Sequence, residues 1–404
     1  MMVENYPING ISYPNLPPYF CRYINKRRMK PEQIHIVSRN SRNLLTISKQ
    51  MLDTLPEGVL PSFRLSGLCG KTAGGNRLET INSAVLTGIA DIAVYPAAEL
   101  PEQLPEGLTV VAITQPVATL PATSDPLSGR LAMVTRLHDH WTTEAFATID
   151  SRRTYGMVTL VGFGPGDPDL LTVGGLKALE QADMIFHDDL LDQEFLRSFG
   201  KETIYVGKRK GKHHAEQQDI NRMLADAARS GKQVVRLKGG DPMIFAHGGE
   251  EVLYLRKCFV PVKVIPGVTT ACALAAATQT SLTYRGVSSS VAFVLGHGNK
   301  VRTPDADTLV YYMGAGNIRK IATSLIHSGR SPQTPVLLVY NVSKPDQQEF
   351  FSTLKELKND KRTWPTPLII LVGEVVKVHA SQVKYRFDNE IITNWTTYET
   401  IPAL

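Results

Sequence analysis

Residues 158–168 read V-T-L-V-G-F-G-P-G-D-P and run straight into a helical pattern. An apolar run that ends in three glycines, a proline and a carboxylate is a buried strand delivering a backbone turn to a ligand. Gly162 and Gly164 fit the first two glycines of a dinucleotide fingerprint, but Asp167 stands where its third small residue belongs. Pro165 also removes an N–H that a phosphate cradle would use. The turn therefore suits a small ligand other than a pyrophosphate. This counts against one rival class, the NAD-dependent oxidoreductases, which calorimetry with the nucleotide would test.

From residue 157 onward, strand and helix patterns alternate. Strands are predicted at 157–161, 184–187, 203–206, 233–238 and 262–265. Between them, Thr172 can N-cap a helix carrying Leu176 and Leu179. In 216–229, Ile220, Met223, Leu224 and Ala227 share one helical face. Such alternation implies βαβ units and a mostly parallel sheet. A second block of the same kind is expected, with strands at 291–295, 308–313, 335–340 and 368–372 and a helix over 318–327 closed by Gly329. The unusual polar and glycine-rich positions of the first block are 162–168, Asp188–Asp189, 208–214, 239–242 and 266–270. All of them fall at carboxyl ends of predicted strands, the edge where open α/β sheets bind ligands.

At 404 residues the chain exceeds one ordinary core. Residues 1–33 form an irregular extension rich in Pro, Asn and Tyr. Met29 lies just before a strand and is a candidate translation start. Residues 34–118 read as a small α/β unit and 119–156 as a linker with at most one helix. Residues 157–281 and 282–385 read as two further α/β subdomains, and 386–404 as a tail. With 43% apolar and 20% charged residues the composition is that of a soluble protein, expected to be cytoplasmic. No run has the length of a membrane span; the apolar segment 269–278 is short and Ala-rich, as a core helix would be. Cys21, Cys69, Cys258 and Cys272 are scattered without a C-x-x-C pair, which fits reduced thiols rather than a disulfide or zinc framework. His213, His214, His247 and His297 lack ligand spacing, so no metal is expected.

The net charge of +6 is modest but uneven, since 207–214 reads G-K-R-K-G-K-H-H. That loop is either a solvated basic surface, the commoner case, or a clamp for a polyanion. Nucleic acid is not favoured, because no aromatic residues interleave the charges. Plain alternatives exist elsewhere too. Gly239–Gly240 can be a tight turn, Asp188 an N-cap or turn residue, Thr269 a helix cap and Met313 a core residue.

In order along 157–376, the motifs G-F-G-P-G-D-P, Asp188 with Leu190, V-G-K-R-K-G-K-H, V-V-R-L-K-G-G-D-P-M-I-F, G-G-E-E, V-I-P-G-V-T, S-L-T-Y-R-G, Y-Y-M-G and V-G-E-V-V occur together. This segment resembles the uroporphyrinogen-III C-methyltransferases of the tetrapyrrole methylase family. The resemblance implies two α/β subdomains with a cleft between them, a homodimer, and S-adenosylmethionine as methyl donor. The implied reaction methylates uroporphyrinogen III twice to give precorrin-2, the precursor of sirohaem and cobalamin. Carried onto matching positions, it assigns donor contacts to Pro165, Gly239, Gly240, Asp241, Ile244, Thr269, Thr270 and Met313. It makes Asp188 the proton acceptor and Lys208 the proton donor. The substrate has eight carboxylates, so Arg209, Lys210, Lys212, His213 and Arg285 become its expected grip.

Three positions depart from the family pattern. His247 replaces a common Arg and Tyr284 a frequent His. Val342 stands where Gly normally precedes Thr, and a β-branched residue resists positive φ. Two rivals follow: a methyltransferase for a later corrin intermediate, and a non-catalytic tetrapyrrole-binding protein.

Residues 34–118 resemble more weakly the first domain of porphobilinogen deaminase. The shared pieces are H-I-V-S-R-N-S with Ser38, Arg39 and Ser41, then D-I-A-V and L-P-E-G-L. The deaminase pattern H-S-x-K-D-L-P appears as Tyr95, Pro96, Ala98 and Glu99 before Leu100, without its Lys and Asp. This implies a degenerate module without deaminase activity, with docking to neighbouring haem-pathway enzymes as one possible role.

Overall fold

The computed structural model describes residues 33–59, 62–68, 77–121, 123–188, 193–207 and 217–382. Met29 with the extension up to residue 32, the cationic loop 208–214 and the tail 386–404 lie outside the described residues. The chain divides into two units, Met1–Thr154 and Tyr155–Leu404.

The first unit carries β1 (Gln33–Arg39), α1 (Arg42–Leu52), β2 (Ser62–Leu68), α2 (Arg77–Leu86), β3 (Ile92–Pro96), β4 (Leu108–Ile113), β5 (Leu131–Arg136) and α3 (His140–Ala145). Its sheet has the order β2-β1-β3-β5-β4. β1 runs parallel to β2 and β3, whereas β5 runs antiparallel to β3 and β4. Leu44 and Ile47 of α1 close the core over Ile34, Ile36, Ile92, Val94 and Met133. Residues 119–156, expected to be a linker, instead supply β5, which is buried between two other strands. A short strand buried on both faces shows no polar alternation, and the prolines and serines before it hid the run.

The second unit opens with β6 (Val158–Gly162), α4 (Val173–Gln181), β7 (Met184–His187), α5 (Gln193–Ser198), β8 (Glu202–Tyr205), α6 (Gln217–Arg229), β9 (Val234–Lys238), α7 (Gly248–Lys257), β10 (Val262–Ile265) and α8 (Thr270–Ala277). The sheet order is β10-β6-β9-β7-β8, and every pairing is parallel. Thr172 caps α4 by accepting a hydrogen bond from the Gly175 N–H at 3.0 Å. Ile220, Leu224 and Ala228 of α6, with Leu255 of α7, pack against Val158, Leu160, Phe186 and Val234. Leu179 of α4 and Leu196 of α5 cover the other face, over Val161, Ile185, Val235 and Leu237. With all five strands parallel, their carboxyl ends share one edge.

The second lobe of this unit contains β11 (Val291–Leu295), β12 (Thr308–Tyr312), α9 (Ile318–His327), β13 (Pro335–Tyr340), β14 (Gln348–Thr353), α10 (Leu354–Lys358), β15 (Leu368–Val372) and α11 (Val375–Gln382). Its order is β11-β12-β15-β13-β14. This lobe corrects the expectation of a second parallel block: β11 and β12 are parallel, but β15 runs against both β12 and β13, and β14 against β13. Gly329 follows α9 at φ 98°, in the left-handed conformation expected of a helix stop. Ala271, Ala273 and Leu274 of α8 pack on Val310, Leu337 and Leu371, so a helix that follows the first sheet is buried on the second. Among the described residues no helix is long and apolar enough to cross a membrane.

Candidate active site

The loops leaving β6, β9 and β10 touch through bare backbone. Gly164 and Gly240 form an antiparallel bridge, the Gly240 N–H donating to the Gly164 carbonyl at 2.7 Å and the reverse bond spanning 3.2 Å. A Cβ on Gly162 would lie 2.5 Å from the Gly267 Cα and 2.7 Å from the Gly240 carbonyl oxygen. No side chain fits at Gly162 or Gly267, and Gly240 holds φ 68°, so each loop has its own reason for glycine. The Asp241 carboxylate ties two of them together. One oxygen accepts from the Met243 N–H at 2.8 Å and the other from the Gly267 N–H at 3.1 Å. Gly239 is exposed, and a Cβ there would meet nothing within 4 Å, so this part of the rim is open.

The second lobe reaches the same edge through β12. The Tyr312 hydroxyl lies 2.7 Å from the Thr269 Oγ1 and accepts from the Ala271 N–H at 3.1 Å. Burial pushes the Tyr312 phenol above its usual range. Thr269 sits at the N-cap position of α8 but makes no side-chain cap bond, so its hydroxyl links the lobes instead of capping the helix. Phe245 and Phe293 pack on the Tyr312 ring at centroid distances of 5.2 and 5.8 Å. Met313, next in the chain, is 51% exposed and holds φ 54°. It is therefore not the core residue of the plainer alternative. Phe245 and His247 also hold positive φ, at 52° and 57°. Such conformations cost about 1–3 kcal/mol each outside glycine and gather where a site is preorganised.

Asp188 follows β7, and its carboxylate turns to two cations of β9. Its Oδ1 accepts from the Arg236 Nη2 at 2.6 Å, and its Oδ2 lies 4.0 Å from the Lys238 Nζ. Both cations are also bound to Glu251 of α7: Arg236 Nε at 3.2 Å and Lys238 Nζ at 2.9 Å. Arg236, Lys238 and Glu251 are buried at 2%, 3% and 0% exposure, while the Asp188 side chain is 32% exposed. Burial, with the Arg236 charge beside it, pushes the Lys238 ammonium below its ordinary range, against the opposing pull of Glu251 and Asp188. Arg236, Lys238, Glu251 and Tyr312 had no role in the sequence reading. Two charges one residue apart in an otherwise apolar strand were the available signal, since buried charges must be paired.

The expected donor contacts Pro165, Gly240, Asp241, Ile244, Thr269 and Thr270 are half-buried or buried on these loops, and Gly239 and Met313 are exposed there. A Cβ on Gly240 would lie 3.8 Å from the Thr270 Oγ1, which puts those two loops side by side. Arg285 is exposed on a tight turn closed between Tyr284 and Ser288. Lys208, Arg209, Lys210, Lys212 and His213 lie outside the described residues. Among the described residues no cluster of metal-ligating side chains occurs. The objection raised by Val342 does not hold: Asn341 and Ser343 carry the positive φ angles, 48° and 61°, and Val342 itself is buried in the core around α8.

Residues 157–358, half of the chain, match the family model of the tetrapyrrole (corrin/porphyrin) methylases. The chain belongs to this family. Over 240 residues this tetrapyrrole methylase is 43% identical to the uroporphyrinogen-III C-methyltransferase of Methanocaldococcus jannaschii, covering 56% of this chain and 99% of that protein. It is also 40% identical over 239 residues to the siroheme synthase of Psychrobacter sp. (strain PRwf-1), covering 56% of this chain. The chain spans about half of that relative, 49% of its length. Among solved structures it is similar to the uroporphyrin-III C-methyl transferase of Thermus thermophilus complexed with S-adenyl homocysteine. There the identity is 40% and the TM-score 0.50, over 55% of this chain and all of that one.

Proposed function

We propose that the second unit is an S-adenosylmethionine-dependent C-methyltransferase that converts uroporphyrinogen III to precorrin-2. One observation carries this reading: the loops of Gly162, Gly240 and Gly267 close on one another through bare backbone, and Tyr312 of the other lobe bonds Thr269 and Ala271, on the edge where β7 presents Asp188. The fit to the donor rests on the open rim at Gly239, where a Cβ would meet nothing within 4 Å, and on half-buried Thr270 beside Gly240. Gly239, Gly240, Asp241, Ile244, Pro165, Thr269, Thr270 and Met313 would hold it. When bound, the donor supplies a methyl group already activated by a positive sulfur.

The protein's part is positioning and proton transfer. The loops would hold the donor's methyl in line with a pyrrole carbon of the substrate, so that the carbon's electron pair could displace the sulfur. The methylated ring then loses a proton, and the Asp188 carboxylate accepts it. Lys208 is assigned as proton donor, and Arg209, Lys210, Lys212, His213 and Arg285 as the grip on the substrate's carboxylates.

Purified protein given both substrates under reducing conditions is expected to develop the absorbance of the oxidised, sirohydrochlorin-like product. Asp188→Ala should slow turnover by roughly 10²–10⁴-fold while leaving donor binding near the parent's. Full activity in that variant would remove Asp188 from the mechanism. Turnover on precorrin-2 but not on uroporphyrinogen III would assign the enzyme to a later corrin intermediate. Binding of the tetrapyrrole without methyl transfer would make the protein a carrier.

The same reading includes a cytoplasmic homodimer, which sedimentation tests. The first unit is read as a degenerate deaminase-like module that docks neighbouring haem-pathway enzymes. In its support, Arg39 is paired with Glu99 at 3.0 Å, so the arginine of the matching motif is occupied by this chain's own carboxylate. Porphobilinogen consumption by the purified chain would overturn that part.

A further inference from the structure

Four charged side chains meet behind the proposed site, and three of them are out of reach of any ligand. The Glu251 Oε1 accepts from Arg236 Nε, Lys238 Nζ and Gln217 Nε2, at 3.2, 2.9 and 3.1 Å. The Glu251 Oε2 is buried and, among the described residues, has no hydrogen-bond partner. Arg236 spends its remaining contacts on the Leu237 carbonyl at 3.2 Å and on Asp188 at 2.6 Å. Two cations are thus divided between two carboxylates, one sealed and one on the rim.

Stability does not explain this arrangement. Buried ion pairs give up so much hydration that well-packed apolar residues of similar size are often as stable or more so. The asymmetry of exposure is more informative. Asp188 faces outward on a rigid strand end, and its charge is fixed from behind by groups that water and substrate cannot reach.

We propose that Glu251, through Arg236 and Lys238, is a positioning residue that sets both the direction and the basicity of the Asp188 carboxylate. This rests on the reading of Asp188 as proton acceptor. Glu251 draws on the same two cations that hold Asp188, so it limits how strongly they stabilise the ionised form. Without Glu251, Arg236 and Lys238 would act on Asp188 alone and make it a poorer base. Without Arg236, Asp188 would lose its closest counter-charge and bind its proton more readily. The groups around Asp188 among the described residues are few. They are Arg236 and Lys238 of β9, Glu251 of α7, and His187 of β7, whose Nδ1 lies 3.1 Å from the Asp188 backbone carbonyl. Tyr205 of β8 packs its ring at 5.6 Å, tilted, on His187.

The test is a pair of near-isosteric variants in the full chain, Glu251→Gln and Arg236→Gln. The Asp188 carboxyl titration is followed by carbon NMR without substrate, assigned by its loss in Asp188→Asn. The midpoint is expected to fall in Glu251→Gln, which removes a negative charge from the shared cations, and to rise in Arg236→Gln, which removes the nearest positive one. A network that only braces α7 on the sheet would give no such opposed pair. In turnover, Glu251→Gln should lower kcat about tenfold, with KM within about twofold of the parent and the acidic limb of the pH profile moved down. Midpoints that stay put, or move the same way in both folded variants, would overturn the proposal. Thermal unfolding checks that each variant folds. Should Arg236→Gln fail to fold, Lys238→Gln takes its place, with a smaller upward shift. If the parent does not methylate uroporphyrinogen III, the functional reading fails, while the substrate-free titration still decides the network.

Discussion

The two lobes of the second unit are built from five-stranded sheets of similar size, yet they contribute unequally to the site. In the first lobe every strand is parallel, so β6, β7, β9 and β10 all end on one edge and deliver their loops together. In the second, β15 runs against its neighbours, and strand ends are split between two edges. There β12 reaches the shared rim, where the Tyr312 hydroxyl bonds Thr269 and Ala271. Strand direction therefore separates the lobe that gathers chemistry from the lobe that braces it. A parallel sheet concentrates backbone ends and polar turns, whereas a mixed sheet spreads them out.

The largest effect is expected from Gly162→Ala. Its Cβ would enter the Gly267 backbone, which cannot rotate away as a side chain can. Overpacking of this kind costs roughly 1–3 kcal/mol or more. The variant should unfold at lower temperature and lose S-adenosylhomocysteine binding by calorimetry. Gly316→Ala in the second lobe, where a Cβ meets nothing within 4 Å, should do neither. Equal damage from both would break the contrast between the lobes.

Val342→Gly tests the bracing role directly. Val342 packs with Val339, Val376 and the alanines of α8. Restoring the family's glycine removes a buried side chain and loosens the backbone, at a cost of about 2–4 kcal/mol. Thermal unfolding should show that loss with no gain in donor affinity, because Asn341 and Ser343 already supply the left-handed turn. Tighter donor binding in this variant would mean that Val342 does obstruct the site.

Legibility followed the same division. The parallel strands read clearly because they are continuous apolar runs ended by glycines, as in V-T-L-V-G and V-V-R-L-K-G-G. β2 and β14 did not, since S-F-R-L-S-G-L and Q-E-F-F-S-T lie on sheet edges and keep polar residues on their exposed sides. The antiparallel course of β15 was invisible, because a buried strand looks the same in either direction. Asp188, Asp241 and the glycines could be found from their place at strand ends. The Glu251 pairing could not, because a glutamate near a helix N-terminus is ordinary in sequence and only the packing of α7 on β9 seals it beside Arg236.

Tyr312→Phe should have a smaller effect than either core change. It removes two hydrogen bonds between the lobes and leaves the ring packing of Phe245 and Phe293 in place. Net losses of about 0.5–1.5 kcal/mol per bond predict an unfolding temperature lowered by a few degrees, and a loosened rim predicts S-adenosylhomocysteine binding weaker by roughly tenfold. If the second lobe merely shields the site, affinity should instead stay at the parent's value.

The smallest effect concerns acid, and it separates a carboxylate that braces from one that reacts. In the second lobe the Asp307 Oδ2 accepts from the Ser289 N–H at 2.8 Å and from the Ser289 hydroxyl, the Ser290 N–H and the Ser290 hydroxyl at 3.0, 3.1 and 3.0 Å. These bonds, the Ser289 N–H foremost, hold its carboxyl below the ordinary 3.8. Because the folded state depresses this pKa, the clamp's contribution is complete above the unfolded value and is lost as pH falls through the folded one. Asp307→Asn should therefore unfold slightly below the parent at about pH 7, and the gap should narrow as the pH falls below the ordinary 3.8. The clamp fixes the entrance to β11 and β12, away from the reacting groups, so turnover at neutral pH should stay within about twofold of the parent. A large loss of activity with unchanged stability would show that the bracing lobe reaches the chemistry through more than β12.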